Sequence, residues 1–340
     1  MALGLTPTAK RMAETVSRPA NAWLGRISRV DRHSIRVLDR FGSEHVASIP
    51  TNGDVLVGDW AWLPPDEERD AYALIAPRYH VLTRVKASGE IQPLTSNIDL
   101  VLLTVTAREA LRPGLIERLA VTGWESGATP RFVISKVDEL AQRERDLALQ
   151  VIAESAPGID TTVTSALTGE GLETLSDLLT EPVSAVLLGH SGVGKSSLVN
   201  RLCSTNGQAS QAVRERDGKG RHTTTARTIT PLRNGDSVVI DTPGIRQFGV
   251  SINAPLSDVF TDIEALAESC RFTDCSHTED AGCAVRHAVE NGRIPADRYR
   301  RYLALLREQE FMRRRDSSQR RDKSSEYSRL ARQYRRARGH

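Results

Sequence analysis

Apolar and polar residues alternate in four short runs early in the chain: Ala22–Val30, Ser34–Leu38, Glu44–Ile49 and Val57–Leu63. A period of two is the mark of a half-buried strand, and the turn-forming stretches Asp39–Gly42 and Thr51–Asp54 separate the runs. Several short strands within residues 22–90 predict a small barrel of the OB type. The texture changes at Asn97. Leu100–Thr106, Arg131–Ser135, Thr162–Ser165, Val183–Leu188, Thr228–Leu232 and Ser237–Ile240 are compact strand-like runs, mostly apolar, and most are separated by helical segments. Strands buried on both faces predict an open, largely parallel sheet covered by helices, over residues 91–251. Residues 252–315 carry no strand pattern and predict a helical domain with one helix near Pro295–Arg315. The fold class expected is therefore multidomain: N-terminal β-barrel, central α/β domain, C-terminal α-helical domain. Residues 1–21 read as a disordered leader, or a helix that orders on a partner, and residues 316–340 as a basic tail.

Composition adds to this in two places. Apolar residues make up 39% and charged residues 26% of the 340, enough for sizeable cores. No apolar run approaches the ~20 residues of a membrane span, and Met1–Ala20 lacks the apolar core of a secretory signal. A cytoplasmic monomer is expected. The net charge of +3 is unevenly spread: residues 311–340 hold eleven Lys/Arg against three Asp/Glu, a balance of +8, on a body of −5. Such a tail predicts a polyanion partner, RNA first. On the barrel, Trp23, Trp60 and Trp62 with Arg26, Arg29, Arg32 and Arg36 are candidates for base stacking and phosphate contact.

The chemistry concentrates after Leu188. Gly189, His190, Ser191, Gly192, Val193, Gly194, Lys195 and Ser196 fit G-x-x-x-x-G-K-[ST], between a predicted strand and a predicted helix. Glycines let successive backbone N–H groups converge on phosphate oxygens, and the helix N-terminus adds partial positive charge. Lys195 is expected to reach the β- and γ-phosphates, and the Ser196 hydroxyl to ligate Mg²⁺. Asp241, Thr242, Pro243 and Gly244 follow a strand 46 residues after Lys195. An acid there can hold Mg²⁺ through water, and Gly244 can turn its N–H to the γ-phosphate. Thr223, Thr224 and Thr225 lie between, and one of the three hydroxyls is expected to complete the Mg²⁺ shell. Upstream, Ser135, Lys136 and Asp138 end a strand in the manner of the N/T-K-x-D element of GTPases. Asp138 can accept two hydrogen bonds from guanine, which adenine cannot supply. Ser165 and Ala166 match the companion loop whose N–H meets guanine O6. GTPases normally run phosphate loop first and base reader last; here the order is reversed, a circular permutation.

With these motifs in that order, the chain resembles the ribosome-small-subunit-dependent GTPase A family of circularly permuted GTPases. The resemblance runs over about residues 20–310. It rests on Val57–Trp60, Ser96–Asp99, Gly189–Ser197, Gly220–Thr225 and Asp241–Arg246. It implies GTP hydrolysis stimulated by the small ribosomal subunit, a role late in that subunit's maturation, and rRNA as partner. GTP and GDP would be held by the phosphate loop through Ser197, with Mg²⁺ as companion. Two positions depart from the common pattern. Ser135 stands where Asn or Thr is usual, so guanine affinity is expected to be lower. Ile245 stands where many GTPases place the Gln that orients water, so the isolated enzyme is expected to be slow, with Arg221, His222, Arg246 or RNA as candidate helpers.

Cys270-x₄-Cys275-x-His277-x₅-Cys283 offers three thiolates and an imidazole, a closed tetrahedral set for one structural Zn²⁺. Four ligands leave no place for a catalytic water. The competing readings are an RNA-binding nucleotide switch with little hydrolysis, and a small-molecule P-loop kinase. Intact Lys195, Ser196 and Asp241 argue against the first; Asp138 and the threonine cluster argue against the second.

Overall fold

The computed structural model describes residues 3–49, 54–65, 73–86, 88–203, 227–232, 236–242 and 248–337, with side chains as far as residue 316. The chain divides into two compact units, Met1–Arg84 with Gln92–Phe248, and Val85–Ile91 with Gly249–His340.

The first unit holds two sheets. β1 (Trp23–Val30), β2 (Ser34–Leu38), β3 (Glu44–Ser48), β4 (Trp60–Leu63) and β5 (Leu74–Ile75) form an antiparallel sheet in the order β3-β2-β1-β4-β5. Ile27, Ile35, Val37, Ala61, Leu63 and Ala73 are its core. The corner at Gly58 requires a left-handed backbone, φ +100°, and a Cβ there would overlap the Ser96 carbonyl. Beside it the buried Asp59 carboxylate accepts from Leu56 N (2.8 Å), Ser96 Oγ (2.5 Å) and both Nε and Nη2 of Arg78 (2.7 Å each). A buried charge with every oxygen engaged is the condition under which such a group persists. A hairpin of β6 (Val81–Val85) and β7 (Ile91–Ser96), which the sequence pattern did not predict, then leads to the second sheet.

That sheet has the order β10-β9-β8-β11-β13-β12, from β8 (Leu100–Thr106), β9 (Thr129–Ser135), β10 (Thr161–Val163), β11 (Ser184–Leu188), β12 (Thr228–Pro231) and β13 (Val238–Asp241). All neighbours are parallel except β12 with β13. β8 and β11 are buried along essentially their whole length, as their unbroken apolar runs predicted. Helices Pro113–Glu125, Gln142–Ser155, Leu172–Asp177 and Lys195–Cys203 connect the strands.

The leader is a correction. Pro7–Glu14 is a helix capped by Thr6, and it packs on its own chain. Leu3, Ala9 and Ala13 are buried, Gly4 N donates to Asp236 O at 2.6 Å, and Trp62 Nε1 donates to Ala13 O at 2.9 Å. Three of the barrel residues expected to contact RNA are corrected too. Trp60 and Trp62 are buried because β4 is covered on both faces, and Arg26 of β1 is buried as well. Arg26 gives Nη1 to Leu3 O (2.5 Å) and Ser184 Oγ (2.6 Å), gives Nη2 to Asn97 O (2.9 Å), and lies over the Trp60 ring. Burial pulls its pKa down to about 10, against the opposing pull of Tyr79, Asp99 and Asp59. Arg29 and Arg36 are tied to Asp31 and Glu44. Removing residues 1–14 strips apolar cover and one acceptor from a buried guanidinium, so it should cost about 3 kcal/mol. A denaturant titration with an unchanged midpoint would contradict that packing.

The second unit is helical: Leu256–Val259, Thr261–Ala267, Ala284–Glu290 and Ala296–Ala337. Val259, Phe260, Ile263, Val285, Ala288, Tyr302 and Leu305 are buried in it. Arg298 forks onto Asp262 at 2.7 and 2.8 Å and lies over Phe260. The basic tail continues the last helix, which is unbroken to Ala337 and contains neither Gly nor Pro.

Candidate functional site

Five parallel strands end on one edge of the second sheet, and the chain leaves β8 toward β9 on one side but returns with β11 on the other. The gap between β8 and β11 is thus a topological switch point, where open α/β sheets present their loops to ligands. The phosphate-loop motif follows β11 at that point. Gly189 is required by packing, since a Cβ there would overlap the Thr104 carbonyl of β8. Gly192 and Gly194 take φ +87° and +95°, left-handed values open to glycine at little cost. Val193 is buried beneath the loop, while Ser191 and Ser196 are exposed.

Lys195 opens the following helix, and its Nζ spans the loop, donating to Gly189 O and His190 O at 2.9 Å each. Burial holds its pKa below the ordinary value, while the Asp241 and Glu109 carboxylates pull the other way. Asp241 ends β13 beside Leu187 of β11, and burial raises its pKa against the pull of Lys195. Thr242 Oγ1 donates to Leu187 O at 2.8 Å. Cation and acid therefore share a partly desolvated site, an arrangement suited to a polyphosphate with a divalent cation. Thr223, Thr224, Thr225 and Gly244 lie outside the described residues, as do Arg221, His222, Ile245 and Arg246.

The base-reading elements follow β9 and β10 on the same edge. Ser135 Oγ donates to the Val193 carbonyl at 2.6 Å and lies 3.2 Å from that of Val105, so the short side chain ties the end of β9 to the phosphate loop. Lys136 takes a left-handed φ of 59°, and the Val137–Glu139 turn leaves Asp138 exposed. Val137 N donates to Thr164 O at 3.2 Å, linking this turn to the neighbouring one. There Ser165 Oγ accepts from Leu167 N (3.1 Å) and Thr168 N (3.0 Å), and Ser165 N donates to Glu170 O (2.9 Å).

Three features were not read from the sequence. His190 Nδ1 meets Glu109 Oε1 at 2.8 Å across 81 positions, and its ring packs on Phe248. Leu167, next to Ala166, is 80% exposed, unusual for leucine. Arg145 touches both base-reading turns. The first and last are long-range pairs with no local pattern; only Leu167, an apolar residue in a polar turn, left a trace in the sequence.

In the second unit the Sγ atoms of Cys270, Cys275 and Cys283 and a ring nitrogen of His277 all lie within 4.8 Å of one another. His277 Nδ1 is 3.6 Å from Cys270 and from Cys283, and those two sulfurs are 4.0 Å apart. Tetrahedral ligands at ~2.0–2.3 Å from a Zn²⁺ stand about 3.5–3.8 Å apart, so the two His277 edges fit and the sulfur pair is slightly wider. Cys283 caps the Ala284–Glu290 helix, and the N–H groups of Ala284 and Val285 help hold the Cys270 thiol below its ordinary pKa against burial. Asp280 accepts from Ser276 N (2.8 Å), fixing the turn that carries Cys275 and His277. All four cysteines are free thiols.

Among the described residues, no helix is long and apolar enough to cross a membrane. The RsgA GTPase family model matches residues 75–251. The small ribosomal subunit biogenesis GTPase RsgA 2 of Listeria monocytogenes is 35% identical over 307 residues, 88% of this chain and 87% of its own. The small ribosomal subunit biogenesis GTPase RsgA of Streptomyces avermitilis is 38% identical over 293 residues, 84% of this chain and 79% of its own. Among solved structures, YjeQ from Thermotoga maritima superposes with a TM-score of 0.62 at 24% identity, covering 85% of this chain and 98% of that one. YloQ, described as a circularly permuted GTPase, gives 0.56 at 23% identity, covering 89% and 99%.

Proposed function

The chain belongs to the RsgA GTPase family, a circularly permuted GTPase, and on that premise we propose that it hydrolyses GTP during late maturation of the small ribosomal subunit. The observation that carries this reading is the phosphate loop at the switch point, with Lys195 across its carbonyls and Asp241 on the adjoining strand. In this reading the N–H groups from Gly189 to Ser197 hold the phosphates, and Lys195 leaves the carbonyls of Gly189 and His190 for the β- and γ-oxygens. Ser196 would ligate Mg²⁺, and Asp241 would hold it through water. The metal would neutralise charge developing on the phosphoryl oxygens. Gly244 and one of Thr223, Thr224 and Thr225 would sense the γ-phosphate.

Guanine would lie against Lys136 and the exposed Leu167, with Asp138 accepting its two donors and Ala166 N meeting O6. Ser135 serves here through its bond to Val193 O rather than by reaching the purine. Cys270, Cys275, His277 and Cys283 would hold one Zn²⁺, which would be architectural. The partner is the small subunit and its rRNA, met by a monomer in the cytoplasm. With Ile245 in place of a polar water-orienting residue, turnover alone should be slow. Purified small subunits should raise turnover about tenfold or more, a modest demand beside the roughly 10³–10⁵ that an arginine supplied in trans achieves. Equal phosphate release with and without subunits would remove this function.

A further inference from the structure

Arg145 stands near the start of the Gln142–Ser155 helix, outside both base-reading turns, and its guanidinium reaches each of them. Nη2 donates to the Val137 carbonyl at 2.6 Å, and Nη1 donates to Glu170 Oε1 at 2.6 Å. Nε is buried with no hydrogen-bond partner among the described residues, so the fork is aimed by these two acceptors alone. The Val137 carbonyl shares its peptide plane with the Asp138 nitrogen. Holding that oxygen therefore fixes the plane from which the Asp138 side chain departs. On the other side, Glu170 accepts the Ser165 N–H with its backbone while its carboxylate is held by Arg145. Both turns are thus fixed to one planar cation, which lysine could not replace, lacking the two-pronged geometry.

We propose that Arg145 is a positioning residue for guanine selectivity, clamping the Lys136–Asp138 turn to the Ser165–Glu170 turn at the spacing the purine needs. This rests on the guanine-nucleotide reading given above. The pair with Glu170 is partly open to solvent, with the two side chains 20% and 40% exposed. Such pairs add little to overall stability. Its contribution is geometric: Asp138 must meet the base edge within hydrogen-bond tolerance, and a displaced carboxylate loses the exocyclic amine first.

The test compares GDP with inosine diphosphate, which lacks that amine, on the full chain by calorimetric titration. Arg145→Gln and Glu170→Gln should each lower the preference for GDP about tenfold, the worth of weakening one charge-assisted hydrogen bond. Turnover at saturating GTP should stay within about twofold, since the phosphates are held elsewhere. A merely structural role would instead weaken both nucleotides alike and lower the melting temperature; that result overturns the proposal. Glu170→Gln keeps the side chain's size at a half-exposed site, so it reports even if Arg145→Gln does not fold. Asp138→Asn is the control. If it collapses the preference while both clamp variants keep it, the clamp alone is wrong. If Asp138→Asn also keeps the preference, the base reader itself is misassigned and the clamp falls with it.

Discussion

Lys195→Ala should abolish GTP hydrolysis, with a fall in turnover of about a thousandfold or more, the scale on which removing a preorganised charge from a transferring group acts. The ammonium is buried and already held by two carbonyls 2.9 Å away, so it needs little reorganisation to meet phosphate oxygens. Burial disfavours its charge and the Asp241 carboxylate favours it. A polyphosphate arriving with Mg²⁺ would add compensation where it is short. Lys195→Arg should fail nearly as badly, because a planar guanidinium cannot enter the space between Gly189 O and His190 O. The loss must appear in single-turnover phosphate release with the protein still folded by circular dichroism. A variant that hydrolyses GTP at the parent rate would remove Lys195 from the mechanism.

The parts that were legible in the sequence are those whose cause is local. The glycines of 189–194 announce a loop because each has its own steric reason, and the apolar runs of β8 and β11 announce buried strands because both faces are covered. The Cys270–Cys283 spacing states its chemistry in fourteen residues. What escaped has distant causes. Leu3, Ala9 and Ala13 look like an unstructured leader until Trp62, Asp236 and Arg26 are brought against them. Trp60 and Trp62 of β4 and Arg26 of β1 look like RNA contacts on strands with one open face, because alternation cannot reveal that a second element covers the other face. The Glu109–His190 and Arg145–Glu170 pairs span 81 and 25 positions. By its motif position Ser135 is a weakened guanine contact, while its bond to Val193 O depends on where the phosphate loop lands.

Cys275→Ala should remove the metal proposed for the cluster and unfold the segment around residues 270–290. Three thiols within 4.8 Å of one another and of an imidazole are a poor arrangement without a cation. The Cys275 thiol is pushed up to about 12, by burial first and then by its neighbours Cys283 and Cys270. The loops between ligands have few apolar residues, and Phe272 is exposed rather than packed. Structural Zn²⁺ in small domains contributes about 10–16 kcal/mol of apparent binding energy near neutral pH, more than such loops can recover by burial. The unmutated protein should therefore contain one equivalent of zinc by elemental analysis, and its three cluster thiols should resist alkylation until a strong chelator is added. Hydrogen exchange across 270–290 should then accelerate while the Gly189–Cys203 segment keeps its protection, since it belongs to the other compact unit. Cys203→Ala is the matched control. Its thiol is pushed up to about 11 by burial and lies on the phosphate-loop helix, so zinc content should not change. Purified protein without zinc, its cluster thiols as reactive as free cysteine, would show that the four residues hold no metal.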